Sequence, residues 1–245
     1  MDERMKNIVD DYENKQLGLD DTFSFHCTIC GKCCINREDI LLNALDVYNL
    51  AKELKIGTEE VFVNYCEAYF GQYSRMVVVR LKPRGSIKRC PLLKDRKCSV
   101  HKAKPTVCAL YPLGRGMGAT AGENVDFTKM EVHYFLQDIY CGDETEEHTV
   151  REWLHDFNLD EQDTFYPLWT QTITDIGSMV RQIESHVREH VIELVFKAIV
   201  FCIYLNYSTE EPFMPQFEKN VATFTELMKK SGITPLPFPK YNEIK

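Results

Sequence analysis

Four cysteines fall within eight residues, Cys27-Thr28-Ile29-Cys30-Gly31-Lys32-Cys33-Cys34, and four more follow at Cys90, Cys98, Cys108 and Cys141. Thiolates two residues apart can converge on one centre from a tight turn, the arrangement that recurs in zinc and iron–sulfur sites. Gly31 suits that turn, because it can take φ > 0 and bring backbone N–H groups toward the sulfurs, where they hydrogen-bond to a negatively charged centre. Eight thiolates would fill two four-cysteine sites, as two clusters, two zincs or one of each. A single cluster, with the remaining thiols free or structural, is the alternative. Neighbouring side chains diverge in most backbone conformations, so Cys33 and Cys34 are expected to serve different centres.

Ten cysteines is an even number, and disulfides are the competing reading. Context opposes it. Residues 1–22 are rich in Asp, Glu and Asn and lack the apolar stretch of a signal peptide, and a chain of 245 residues can bury a core without staples. The apolar run Val191 to Leu205 carries Glu193 and Lys197 and falls short of the roughly 20 apolar residues of a membrane span. The expectation is a cytoplasmic protein with no membrane partner, whose thiols ligate metal or do redox work.

Charge is distributed unevenly. Arg80 to Lys104 holds ten Lys or Arg residues against one acid, Asp95, whereas Asp143 to Asp163 holds nine acids against one base, Arg151. A basic stretch can signal nucleic acid. Here it also carries Cys90 and Cys98, and cations offset the negative charge of a metal bound by several thiolates. The net charge of −8 further disfavours a nucleic-acid partner.

The elements that must position these thiols can be read from periodicity. Ile40, Leu41, Ala44, Val47, Tyr48, Ala51 and Leu54 predict a helix over Glu38 to Ile56, stopped by Gly57. Thr58 caps a second helix, predicted through Tyr69 and ended by Gly71. Met76 to Val79 reads as a strand leading to Pro83 and a turn at Gly85. Asp95-Arg96 predicts a tight turn between Cys90 and Cys98, and Pro105 opens a short helix bearing Cys108 that Pro112 ends.

Gly114 to Gly118 reads as a loop passing close to the metal. Stretching Gly116, Gly118 and Ala121 to a dinucleotide fingerprint fails for want of the preceding strand and following acid. From Glu144 onward the pattern is helical: Thr149 to Phe157, Gln162 to about Asn206 with breaks near Pro167 and Gly177, and Met214 to Lys230. Pro235, Pro237 and Pro239 predict an extended tail.

The fold class expected is therefore mainly α with a small β component. An acidic N-terminal extension (1–22) precedes a cysteine-cluster metal-binding domain (23–142), organised around metal rather than a large apolar core, and a helical region (143–245) packs on it.

Cys66 and Cys202 sit among apolar neighbours and read as small buried hydrophobes. His26 and His101 flank Cys27 and Cys98. With eight thiols available, they are expected to contact thiolate or backbone rather than ligate. His186 and His190, four apart, read as a solvated helix face.

The chain resembles the YkgJ-like cysteine-cluster family of zinc- or iron-chelating domains, related to flagellin lysine N-methylases. The resemblance is carried by Phe25-His26-Cys27 through Cys34, by Cys90-Pro91-Leu92-Leu93, by Cys98-Ser99-Val100-His101 through Lys104-Pro105-Thr106-Val107-Cys108, and by Tyr111-Pro112-Leu113-Gly114. Cys141-Gly142 matches the closing cysteine. It implies a bound metal or iron–sulfur cluster.

Three functions compete. The first is an iron–sulfur protein, with one or two 4Fe–4S clusters, serving electron transfer or cluster-dependent catalysis with a protein or redox partner; C-x-x-C-x-x-C with a distant fourth cysteine is the ligand run of such sites. The second is a structural zinc module that binds a partner through its helical half. The third, a protein-lysine N-methyltransferase, follows from the resemblance alone.

Overall fold

The computed structural model describes residues 11–118 and 125–233. Ala121 of the dinucleotide match and the prolines of the C-terminal tail lie outside the described residues. The chain divides into two compact units, each built from two separated stretches: Met1–Arg37 with Arg84–Pro167, and Glu38–Pro83 with Leu168–Lys245.

The first unit is built on short antiparallel ladders. β1 (Gln16–Leu17), β9 (Val132–Leu136) and β8 (Leu113–Met117) form one sheet in the order β1-β9-β8. β2 (Thr22–His26) pairs with β10 (Asp143–Thr149), and β6 (Leu93–Lys94) with β7 (Lys97–Cys98). The turn between β6 and β7 is the one expected: Asp95 and Arg96 both take positive φ, 49° and 63°, as a two-residue hairpin turn of this twist requires. The short helix α3 (Thr106–Leu110) follows Pro105 as predicted, and α4 (Val150–Asp156) starts from a reciprocal cap between Thr149 and Glu152.

Phe23, Phe25, Leu110, Leu113, Tyr134, Val150, Trp153 and Leu154 form a buried core in this unit. The expectation of a unit organised by metal in place of an apolar core is thus corrected. Trp153 is central: its ring meets Phe23 and Phe25 edge-on, and its Nε1–H donates to the carbonyls of Ala109 and Leu110. That pairing satisfies its polar atom while the ring stays buried.

The second unit contains the sheet β3-β5-β4, from β3 (Leu41–Leu42), β4 (Cys66–Phe70) and β5 (Val77–Leu81). α1 (Ala44–Leu54) is fixed by a capping box in which Asn43 and Asp46 bond each other's backbone N–H. α2 (Thr58–Tyr65) follows. The long helix α5 (Phe165–Glu184), α6 (Glu189–Ile199), a π-helical turn (Val200–Leu205) and α7 (Phe213–Lys230) supply the rest. Tyr204 ties the π turn to β5 by donating to the Val77 carbonyl at 3.1 Å.

The structure is 46% helix and 19% strand, distributed over several small antiparallel sheets, so the mainly α class is overturned in favour of a mixed α/β one. Three sequence expectations account for the difference. The second helix ends at Tyr65, and Cys66 begins a strand instead. Gly114 to Met117 is strand, not loop, because its glycines leave room for rings: a Cβ on Gly114 would sit 2.2 Å from the Phe135 ring across the ladder. The acidic run Asp143 to Thr149 is strand as well, exposed over its first five residues and therefore without an apolar alternation to betray it.

Candidate metal centre

All eight predicted thiols lie in the first unit. β2 ends at His26 and delivers Cys27. Gly31 then takes φ 71° as expected, and a 3-10 turn over Lys32–Cys34 closes with Cys34 N–H on the Gly31 carbonyl at 3.0 Å. The pairing of His26 with Asp143 brings Cys141 and Gly142 alongside. The remaining thiols come from the β6–β7 hairpin and α3. Cys90 begins the approach to the hairpin, Cys98 closes β7, and Cys108 sits in α3.

The sulfurs form one neighbourhood. Cys33 and Cys34 Sγ lie 3.8 Å apart, which corrects the expected divergence: within a 3-10 turn, adjacent side chains can rotate toward each other. The Cys34 thiol also hydrogen-bonds to Cys90. Cys141 lies within electrostatic reach of Cys27, Cys30 and Cys33, and Cys108 within reach of Cys33, Cys34 and Cys98. Cys98 bears on Cys27 and Cys33, so the basin is continuous.

Among the described residues, no three Cys, His, Asp or Glu side chains are gathered closely enough to hold a metal ion as they stand. The donor chemistry nevertheless fits a thiophilic metal. Three thiols share one local device, a backbone N–H two residues on directed at sulfur: Lys32 onto Cys30, Leu92 onto Cys90 and Val100 onto Cys98. Such bonds stabilise anionic sulfur.

The device shows in the acidities. The Lys32 N–H, helped by the Gly142 N–H, the Thr28 hydroxyl and the Lys32 charge, holds the Cys30 thiol below its ordinary value against burial. Cys90 is lowered chiefly by its bond from Cys34. Cys33 is pushed well up by donating to Cys34 and by burial. Cys34 gains from the Cys33 bond, but donation to Cys90 and burial outweigh it and leave it raised to about 12. Burial raises Cys98 and Cys108, and takes Cys141 to about 11 even though the Tyr111 hydroxyl bonds its sulfur. A metal cation reverses this balance by deprotonating coordinating thiols.

Several contributors escaped sequence reading. Lys104 favours the anionic forms of Cys33 and Cys98, and Arg37 that of Cys108. Tyr111 also accepts the Tyr140 N–H at 3.0 Å, fixing the approach to Cys141. Its signal in the sequence is the Tyr111-Pro112-Leu113-Gly114 stretch.

The histidines are engaged elsewhere. His26 Nδ1 faces Asp143 at 3.2 Å, and the His101 ring packs on Phe157 with centroids 6.1 Å apart. Cys66 and Cys202 belong to the second unit and are buried there, and burial alone pushes Cys66 up to about 12. His186 and His190 are exposed, but a break separates α5 from α6 and only His190 is helical.

Comparison with known proteins supports metal binding in general. Residues 26–134 match the CxxCxxCC family, described as a "Putative zinc- or iron-chelating domain". An uncharacterized protein of Methanocaldococcus jannaschii is 30% identical over 105 residues, covering 41% of this chain and 52% of its own length, so the chain spans about half of that relative. No solved structure matches. Seven of the eight thiols, Cys27 through Cys108, fall within the matched segment and Cys141 lies beyond it, so over residues 26–134 the chain is similar to the zinc- or iron-chelating domains of the CxxCxxCC family.

Proposed function

We propose that the eight thiols hold iron–sulfur chemistry and that the protein works in electron transfer or cluster-dependent catalysis. The observation that carries this reading is the company kept by Cys141. It lies in reach of Cys27, Cys30 and Cys33, the three cysteines of the C-x-x-C-x-x-C run, and such a run completed by a distant cysteine is the ligand pattern of 4Fe–4S sites. Cys34, Cys90, Cys98 and Cys108 make up a second set of four, adjoining the first at the Cys33–Cys34 contact.

When bound, such a cluster supplies one-electron redox chemistry. The chain's own contribution is to direct backbone N–H groups at sulfur and to set Lys32, Arg37 and Lys104 beside the anionic thiolates.

Anaerobic purification followed by analysis for iron, zinc and acid-labile sulfide tests the reading. Brown protein carrying iron and sulfide, with visible absorption that bleaches on reduction, is the expected result. Colourless protein saturated with zinc and free of sulfide would replace it with a structural zinc module.

A further inference from the structure

Lys94, Arg96 and Lys97 of the β6–β7 hairpin are exposed, and none joins an ion pair among the described residues. Lys94 and Lys97 are opposite each other in the ladder. The hairpin abuts the thiol turn, since a Cβ on Gly31 would meet the Arg96 carbonyl at 3.5 Å and the Leu93 side chain at 3.8 Å. Exposed Lys32 comes next in sequence. The cations that weigh most on the sulfurs are Lys32, Arg37 and Lys104, so the hairpin's three are surplus to that task.

Ile29 supplies an independent observation. It sits between Cys27 and Cys30 with φ 54°, a β-branched residue in the left-handed region, where glycine or asparagine would hold the same turn without strain. Its side chain is 50% exposed, so burial does not repay the strain. Strained residues of this kind cluster where a side chain is needed for contact.

We propose that Ile29, Lys32 and the hairpin cations form the docking surface for a carboxylate-rich electron-carrier protein, which exchanges one electron with the thiolate-held centre. This rests on the iron–sulfur reading. The electron passes from the reduced carrier to the oxidised centre, or the reverse, with no bond made or broken. An apolar contact rimmed by cations fits a small, weak redox encounter steered by charge. Nucleic acid fits less well. Residues 84–104 contain no Phe, Tyr or Trp on which bases could stack, and the exposed acids of β10 in the same unit oppose an extended polyanion.

The test titrates the anaerobically prepared protein with a plant-type ferredoxin, chosen as an acidic probe, by calorimetry at low and physiological salt. Binding should weaken at least tenfold with salt, and at least tenfold again in the Lys94→Glu, Arg96→Glu, Lys97→Glu triple variant. Ile29→Gly should weaken binding several-fold with metal content unchanged. No binding, equal binding by the triple variant, or tighter binding of duplex DNA that the triple variant abolishes would each overturn the proposal. The two readings fail separately: iron–sulfur protein that ignores ferredoxin sinks only the docking surface, whereas colourless zinc protein that still binds it sinks the electron-carrier assignment and the iron–sulfur reading together.

Discussion

The N–H of Cys90 donates to the carbonyl of Cys34 at 2.8 Å, and with the bonds from Asn36 N–H to Ile87 and from Arg37 N–H to Lys88 it joins the two stretches of chain that carry the thiols. The thiols of Cys34 and Cys90 are hydrogen-bonded as well. The consequence is that ligand removal on either side should be felt by the other. Cys→Ser at Cys27, Cys30, Cys33, Cys34, Cys90, Cys98, Cys108 or Cys141 should each lower bound metal, measured by elemental analysis. Cys66→Ser and Cys202→Ser should retain it, at a cost of about 1–3 kcal/mol in stability from a hydroxyl placed in an apolar site. Full retention in Cys34→Ser would remove that residue from the ligand set.

Gly142 is held at φ 77°, and a Cβ there would fall 2.5 Å from the His26 carbonyl oxygen. Backbone cannot swing aside as a flexible side chain can. Gly142→Ala should therefore destabilise the first unit by about 1–3 kcal/mol or more, disturb the β2–β10 register and lower metal content through Cys30 and Cys141. Unchanged thermal stability with full metal would contradict this account of the turn.

Metal-free protein should show an ordered pattern of alkylation. The lowered Cys30 thiol is only partly buried and should react first, its rate rising with pH below the range of an ordinary thiol. Cys90 is lowered too, but its burial should make it slower. Cys66, held up to about 12 by burial, should react only on unfolding. Timed labelling read by mass spectrometry distinguishes these, and equal rates for Cys30 and Cys66 would count against the N–H···S bonds.

Arg115 and Asp163 form an ion pair whose side chains are only 14% and 13% exposed, with the guanidinium 4.0 Å above the Tyr166 ring. Burial raises the Asp163 carboxyl despite its partner. Arg115→Met should cost about 3 kcal/mol at neutral pH by stranding a buried carboxylate. A carboxyl raised in the folded state loses stability as pH rises through its folded pKa, and removing the arginine raises it further. The deficit should thus shrink as pH falls and Asp163 takes up its proton. Denaturant melts at neutral and acidic pH check the sign.

Much of the site was legible because cysteine spacing and turn chemistry are local. Gly31 and Asp95-Arg96 each needed positive φ or a tight turn, and the residues say so. Pairing partners were not legible. Nothing in Asp143 to Thr149 marks it as the mate of β2, and the glycines of β8 look like loop until Phe135 is seen to occupy the space they leave. Cys33 and Cys34 defied an argument from adjacency because the 3-10 turn sets their relative direction. In each case the deciding contact is distant in sequence or fixed by a backbone state that composition does not encode.

The interleaving of the two units has a consequence for biosynthesis. The stretch through Arg37 bears four of the thiols, and its partners begin only at Arg84, beyond the whole of Glu38–Pro83. At ribosomal rates of about 5–20 residues per second, Cys27 to Cys34 leave the ribosome seconds before Cys90, and later still comes Cys141. The inserted stretch waits in turn for Leu168 onward. A nascent chain therefore carries the thiols of Cys27 to Cys34 without their partners while residues 35–89 are added, and the set of eight is complete only once Cys141 has emerged.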